Sequence, residues 1–341
     1  MNQRSKARKA VAVAVCAAFT AAATPAQANN LSLFVTVPNT DFAWFGQGGM
    51  RGVGTGSIAV SGVTGTVTYA VLVWHSPTNS ANAAANANVT FNGTPITGTN
   101  IGDSDPNCWS FQNSRAYRAD VTQLVNGNGT YSLANFLKAD ADINGVGLLV
   151  FYNDGNAANN RDYAVFLGND SNQANPFDAD GWNASLNGIT YASGSVSMRL
   201  IVADGQDFSD DGYAINGTTV LPPGSNFQGA GGGVNGVVNG SSASATSGGL
   251  WDHTITDITA RLTVGNNNLS LTSVTGGSDC LSLVGAIFDL PAGSAPPGPG
   301  PGPGPVLTGP TPVPTLSEWG LILLALFTGT VAALNLRRRR E

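Results

Sequence analysis

Only two histidines occur in the 341 residues, His75 in VLVWHSP and His253 in LWDHTITDIT. Ser76 follows the first and Asp252 precedes the second. A Ser-His-Asp arrangement around either would be a nucleophilic site. No G-x-S-x-G elbow, Gly-Lys phosphate loop or H-E-x-x-H helix accompanies them anywhere in the chain. Between residues 29 and 292 there is no glutamate, so a glycosidase would need two aspartates, and no pair stands out. Both histidines are therefore expected at a sheet end or in a loop, and the chain is expected not to be an enzyme.

Calcium is the one cofactor candidate. In DADING (140–145), Asp140, Asp142, Asn144 and Gly145 match the first half of a calcium loop. Phe151 stands at the twelfth position, where a bidentate glutamate belongs, so only a shorter site remains. The other reading is a polar turn that enters a strand at Val146. FDADGW (177–182) and DGQDFSDDG (204–212) are further acidic turns, whose carboxylates repel one another until an ion or solvent relieves them. Trp44, Trp109, Trp182 and Trp251 fall in or beside expected loops. They would either stack on sugar rings, making a polysaccharide a candidate partner, or plug the ends of sheets.

The elements that position these residues read as strands. GTVTYAVLVWHS (65–76), GVGLLVFYN (145–153), DYAVFLG (162–168), SGSVSMRLIVAD (193–204) and LSLVGAIFDL (281–290) alternate or run continuously apolar. ANVTFNGTPITG (87–98) is a hairpin around Asn92-Gly93. Helix patterns are absent, and the 44 glycines supply tight turns. The order repeats: VTFNGTPI (89–96) answers to YAINGTTV (213–220), and ADVTQLVNGNGTYSL (119–133) to TDITARLTVGNNNLSL (256–271). Asp120 and Asp257 would each cap a single helical turn. The expectation is an all-β body of two tandem jelly-roll-like β-sandwiches, residues 29–170 and 171–292.

From residue 29 to 292 seven Lys/Arg stand against nineteen Asp, a net of −12 that the basic ends dilute to −6 for the whole chain. Nucleic acid, which needs a Lys/Arg footprint, is excluded as a partner. The start is basic (Arg4, Lys6, Arg8, Lys9), then apolar, then Ala26-Gln27-Ala28. This is a secretory signal peptide over 1–28, cut by signal peptidase after Ala28. Cys16 leaves with it. Cys108 and Cys280 then remain in an oxidising compartment, as a disulfide or as two buried thiols. Residues 293–312 are a Pro/Gly-rich linker, a semi-extended spacer. Trp319 to Leu336 is apolar and uncharged, and about 18 residues reach roughly 27 Å as a helix, enough for a thin bilayer. Arg337, Arg338, Arg339 and Arg340 follow and would hold the C-terminus in the cytoplasm, anchoring a precursor in the inner membrane.

In front of that span stands Pro314-Thr315-Leu316-Ser317-Glu318-Trp319-Gly320, after Val313. A plain anchor needs hydrophobicity, not a fixed word before it. Residues 313–341 closely resemble the bacterial IPTL-CTERM sorting signal, in its Pro314, Thr315, Leu316, Trp319 and Gly320, its short span and its basic end; Val313 replaces the usual Ile. The resemblance implies an exosortase-type partner in a Gram-negative envelope and delivery to the cell surface or beyond. The strand, Asn-Gly hairpin and Asp-Ile-Thr turn of the body resemble galactose-binding-like sandwiches and DUF3344-like repeats of bacterial surface proteins. They imply an envelope or extracellular-matrix role or, alternatively, carbohydrate binding with calcium.

Overall fold

The computed structural model describes residues 30–106, 108–177, 181–229 and 249–301. The expected signal peptide and the tail beyond residue 301, with its sorting motif and expected membrane span, lie outside the described residues. Among the described residues no helix is long and apolar enough to cross a membrane. The body is all-β, with seventeen strands and two single 3-10 turns among the described residues.

The strands are β1 (Ser32–Gln47), β2 (Gly56–Val60), β3 (Thr66–Thr78), β4 (Asn88–Phe91), β5 (Thr94–Thr97), β6 (Thr99–Ser104), β7 (Asn113–Asp120), β8 (Gly129–Ala134) and β9 (Gly145–Asn153). They continue with β10 (Arg161–Ser171), β11 (Asn183–Tyr191), β12 (Ser197–Ala203), β13 (Gly212–Ile215), β14 (Thr218–Leu221), β15 (Trp251–Asp257), β16 (Gly265–Val274) and β17 (Ser282–Pro291). Two four-stranded sheets have matching orders, β2-β8-β4-β5 and β11-β16-β13-β14. Each covers one arm of a long sheet ordered β15-β12-β17-β10-β1-β9-β3-β7-β6. Replacing β9, β3 and β7 by β17, β12 and β15 turns one arm into the other.

Strand β1 joins the arms. Its residues 32–37 pair with β10, its residues 41–47 pair with β9, and the register shifts between Val37 and Thr40. Pro38 ends the first segment and Asn39 has a positive φ of 53°, which bends the strand there. The arms thereby stack face to face. Three apolar cores result: Leu72, Trp74, Phe91 and Leu148 in the first sandwich, Leu200, Tyr213, Leu271 and Phe288 in the second, and Trp44, Val73, Val165, Ile201 and Trp251 between the arms. Strand β10 pairs with both β1 and β17, so hydrogen bonding runs on across the division placed near residue 170.

The repeated words perform repeated jobs. Asn92-Gly93 and Asn216-Gly217 have φ of 48°, 78° and 51°, 71°, the left-handed pair that a two-residue hairpin needs. The Asp120 carboxylate accepts the Thr122 N–H and the Asp257 carboxylate accepts that of Thr259, each leading into a 3-10 turn. Val121 and Ile258 are buried. The Thr122 and Thr259 hydroxyls accept the N–H of Ala70 and of Val196. Asp-Val/Ile-Thr is thus a cap, a plug and a strand clamp in three consecutive residues.

Candidate functional site

The expected chemical residues meet unequally. His75 and His253 are fully buried, and burial pushes each pKa down to about 3. His253 stacks on Trp44 at 4.2 Å and accepts the Trp251 indole N–H, while His75 lies against the Asn169 amide. Among the described residues neither imidazole bonds a carboxylate or a hydroxyl, so no nucleophilic relay forms. Both belong to the layer between the arms. Gly145 and Gly147 of β9 make room there, because a Cβ on Gly145 would stand 2.6 Å from Trp251 and one on Gly147 3.2 Å from the same indole.

The calcium candidates diverge. Asp140 is exposed. Asp142 accepts the Gly52 and Ile143 N–H groups and faces Arg51 at 3.9 Å. Asn144 is buried and donates to Asp204 at 3.0 Å. Among the described residues no three His, Cys, Asp or Glu side chains are grouped to hold a metal. Half of FDADGW, residues 178–180, lies outside the described residues.

The tryptophans are mostly core. Trp44, Trp182 and Trp251 are 0–1% exposed, so none presents a face to a sugar. Trp44 lies within β1 and Trp251 opens β15, so these two sit on strands rather than in loops, and each indole fills the space between sheets, where burying so large a ring stabilises most. Trp109 alone is partly exposed, and its indole donates to Asp204 at 2.6 Å.

Asp204 is therefore a meeting point. It is fully buried, it receives Trp109 and Asn144 from the first sandwich, and Arg51 lies over the Trp109 ring. Burial, reinforced by the nearby Asp279 charge, holds its pKa well above the usual carboxylate range, although Trp109, Arg51 and Asn144 pull the other way. The aspartates of the turn 204–212 mark it in the sequence, but nothing local names its partners. They arrive from residues 51, 109 and 144.

Other carboxylates clamp irregular chain. Asp210 accepts the N–H groups of Asn226 and Phe227, and Asp211 those of Gly276 and Gly277. Burial pushes Asp210 up to about 6 and Asp279 up to about 7, the latter helped by the charge of Asp210. Beside them Cys280 is joined to Cys108 by a disulfide, with a Cα–Cα distance of 5.8 Å.

The tail leaves the body through another clamp, which the sequence reading passed over inside DYAVFLG. Asp162 of β10 is 2% exposed. One of its oxygens accepts the Asn39 N–H at the bend of β1, and the other accepts those of Gly293 and Ala295. Ser294 and Pro296 are buried, and Pro299 accepts the Thr36 N–H at 2.8 Å. The start of the Pro/Gly segment is thus docked along the open side of β1.

A family model for the IPTL-CTERM motif matches residues 311–340, which points to a C-terminal sorting signal on an exported protein with a membrane-anchored precursor and a sorting-enzyme partner of the exosortase type. No curated protein matches the chain. Among solved structures, a similarity is found to PNGase F, a glycosylasparaginase from Flavobacterium meningosepticum. It has 11% identity and a TM-score of 0.21, and covers 77% of this chain and 95% of that one. At that score it carries no argument about fold or activity.

Proposed function

We propose that this chain is a surface protein of a Gram-negative envelope, exported by its signal peptide, held in the inner membrane by its tail and then processed there by an exosortase-type enzyme. The observation that carries the reading is the motif match at residues 311–340. The order of parts supports it: folded body, Pro/Gly spacer, motif, apolar span, four arginines. The spacer lets the sorting enzyme reach the motif without unfolding the body, because its first residues are tied to β1 and Asp162 and the rest can extend at up to about 3 Å per residue.

The body itself is non-enzymatic, a duplicated sandwich pair of jelly-roll type that serves as an envelope or matrix component. Its two imidazoles are neutral and enclosed, and its buried carboxylates are engaged in holding loops. The reading is tested by the intact mass of the protein recovered from the surface and the inner-membrane fractions of its host. A surface form that has lost the apolar span and the arginines is the expected result. A full tail found only in the inner membrane would reduce the motif to an anchor and overturn processing.

A further inference from the structure

We propose that the seam between the two sandwiches carries a binding site for a carboxylate-bearing sugar, with the Arg118 guanidinium as its anion-recognising group. A cavity of about 290 Å³ opens there between β1, β6, β7 and β10. Arg118, Ser32, Leu33, Phe34, Thr99 and Asn100 line it.

Arg118 differs from Arg51, Arg115, Arg161 and Arg199 in having no carboxylate within ion-pair distance among the described residues. Arg51 faces Asp142, Arg115 pairs with Asp103, and Arg161 and Arg199 share Asp289. Arg118 makes no ion pair and no side-chain hydrogen bond among the described residues. Its guanidinium lies 4.2 Å from the centre of the Phe34 ring. Asp120 is close enough to act on it electrostatically, but that carboxylate is bonded to the Thr122 N–H. Burial also lowers the Arg118 pKa, so the charge is held with less water than it would have in solution. An under-solvated cation with free donors is a place where an incoming carboxylate gains charged hydrogen bonds rather than merely exchanging water, enough to offset the repulsion of a body with a net charge of −12.

The surroundings choose the anion. A guanidinium fork matches the two oxygens of a carboxylate. The Ser32 and Thr99 hydroxyls, which make no side-chain hydrogen bond among the described residues, stand ready for ring hydroxyls. Leu33, Ile101 and Leu167 supply an apolar wall for the C–H face of a ring. The cavity's volume of about 290 Å³ admits a sugar ring, so a uronate residue fits it. This site owes nothing to the loop tryptophans, and it adds a ligand to the surface role proposed above.

The test is calorimetric titration of the full-length protein in a non-ionic detergent with sodium D-glucuronate, and in parallel with D-glucose and with sodium acetate. Saturable glucuronate binding is expected, weakened by raising salt from about 0.05 M to about 0.5 M. Arg118→Gln should weaken it by about tenfold or more, the equivalent of one charged hydrogen-bonding group, with glucose and acetate similarly weak on the native protein. Thr99→Val, which leaves the charge in place, should weaken glucuronate a few-fold, and Arg118→Lys should fall between native and Gln. If the Gln variant does not fold, the Thr99→Val and Arg118→Lys variants decide. Absence of saturable glucuronate binding, equal affinity in these variants, or acetate binding as tight as glucuronate would each overturn the proposal. None of those results would touch the sorting reading, which rests on the tail.

Discussion

The two sandwiches share a strand order but are closed by different means. In the first, turns are satisfied by asparagine, tyrosine and backbone: Asn128 brackets Val63, and the Tyr131 hydroxyl spans Asn126 and Gly127. In the second, irregular segments at residues 204–211, 222–229 and 275–281 carry no ladder beyond the single Asp210–Gly224 bridge, and the N–H groups of Asn226, Phe227, Gly276 and Gly277 are taken by buried aspartates. Of the ten buried aspartates among the described residues, Asp41 and Asp103 lie on the first arm, Asp162 and Asp170 on β10, and the other six from Asp204 onward. Irregular chain must still satisfy every buried donor, and a carboxylate accepts several at once. The acidity of the body thus has a structural share that composition alone would assign to surface or to metal.

Reduction of the Cys108–Cys280 bond should bear hardest on this difference. The bond closes 172 residues and ties a loop of the first unit to the clamped end of the second. Chain-entropy reasoning gives up to about 5 kcal/mol for such a closure. Denaturant unfolding with and without reductant should show the loss, and hydrogen exchange should place it first in segments 204–211 and 275–281. Equal loosening of both units would break the contrast.

Asp162→Ala comes next, because it strands the N–H groups of Asn39, Gly293 and Ala295 in a buried place. A loss of about 3 kcal/mol is expected in urea unfolding, with proteolysis opening the chain after residue 291. Asp162→Asn should recover part of it.

The pH dependence follows. Asp210 and Asp279 have folded-state values of about 6 and about 7, above the ordinary carboxylate value, so the folded protein holds protons that the unfolded chain releases. Their contribution is complete below about pH 4 and is lost as pH rises towards 7, a loss of several kcal/mol. Asp279→Asn should flatten the fall of melting temperature over that range. A flat native profile would show that the two carboxyls are not protonated in the fold.

The smallest effect is a matched pair. Asp120→Ala and Asp257→Ala each remove one capping bond in the same geometry, so each should cost about 0.5–1 kcal/mol, and the two should agree when Asp120→Ala is measured in an Arg118→Gln background that removes the charge beside it. Unequal losses would mean that the repeated words no longer do the same work.

Short-range chemistry was legible in the sequence. Alternation specified strands, Asn-Gly specified both hairpins and Asp-Val/Ile-Thr specified both capped turns, because each depends on residues within a few positions. The sorting motif was legible for the same reason, being a contiguous word. The tertiary structure alone decided the rest. It put Trp251 and His253 over Gly145 and Gly147, turned Asn144 from a calcium candidate into a donor to Asp204, and left Arg118 without a carboxylate at the seam. These outcomes depend on one arm folding over the other at Asn39 and on partners roughly 60 to 130 residues apart. Burial and electrostatics act through space, and no local pattern encodes which distant face will arrive.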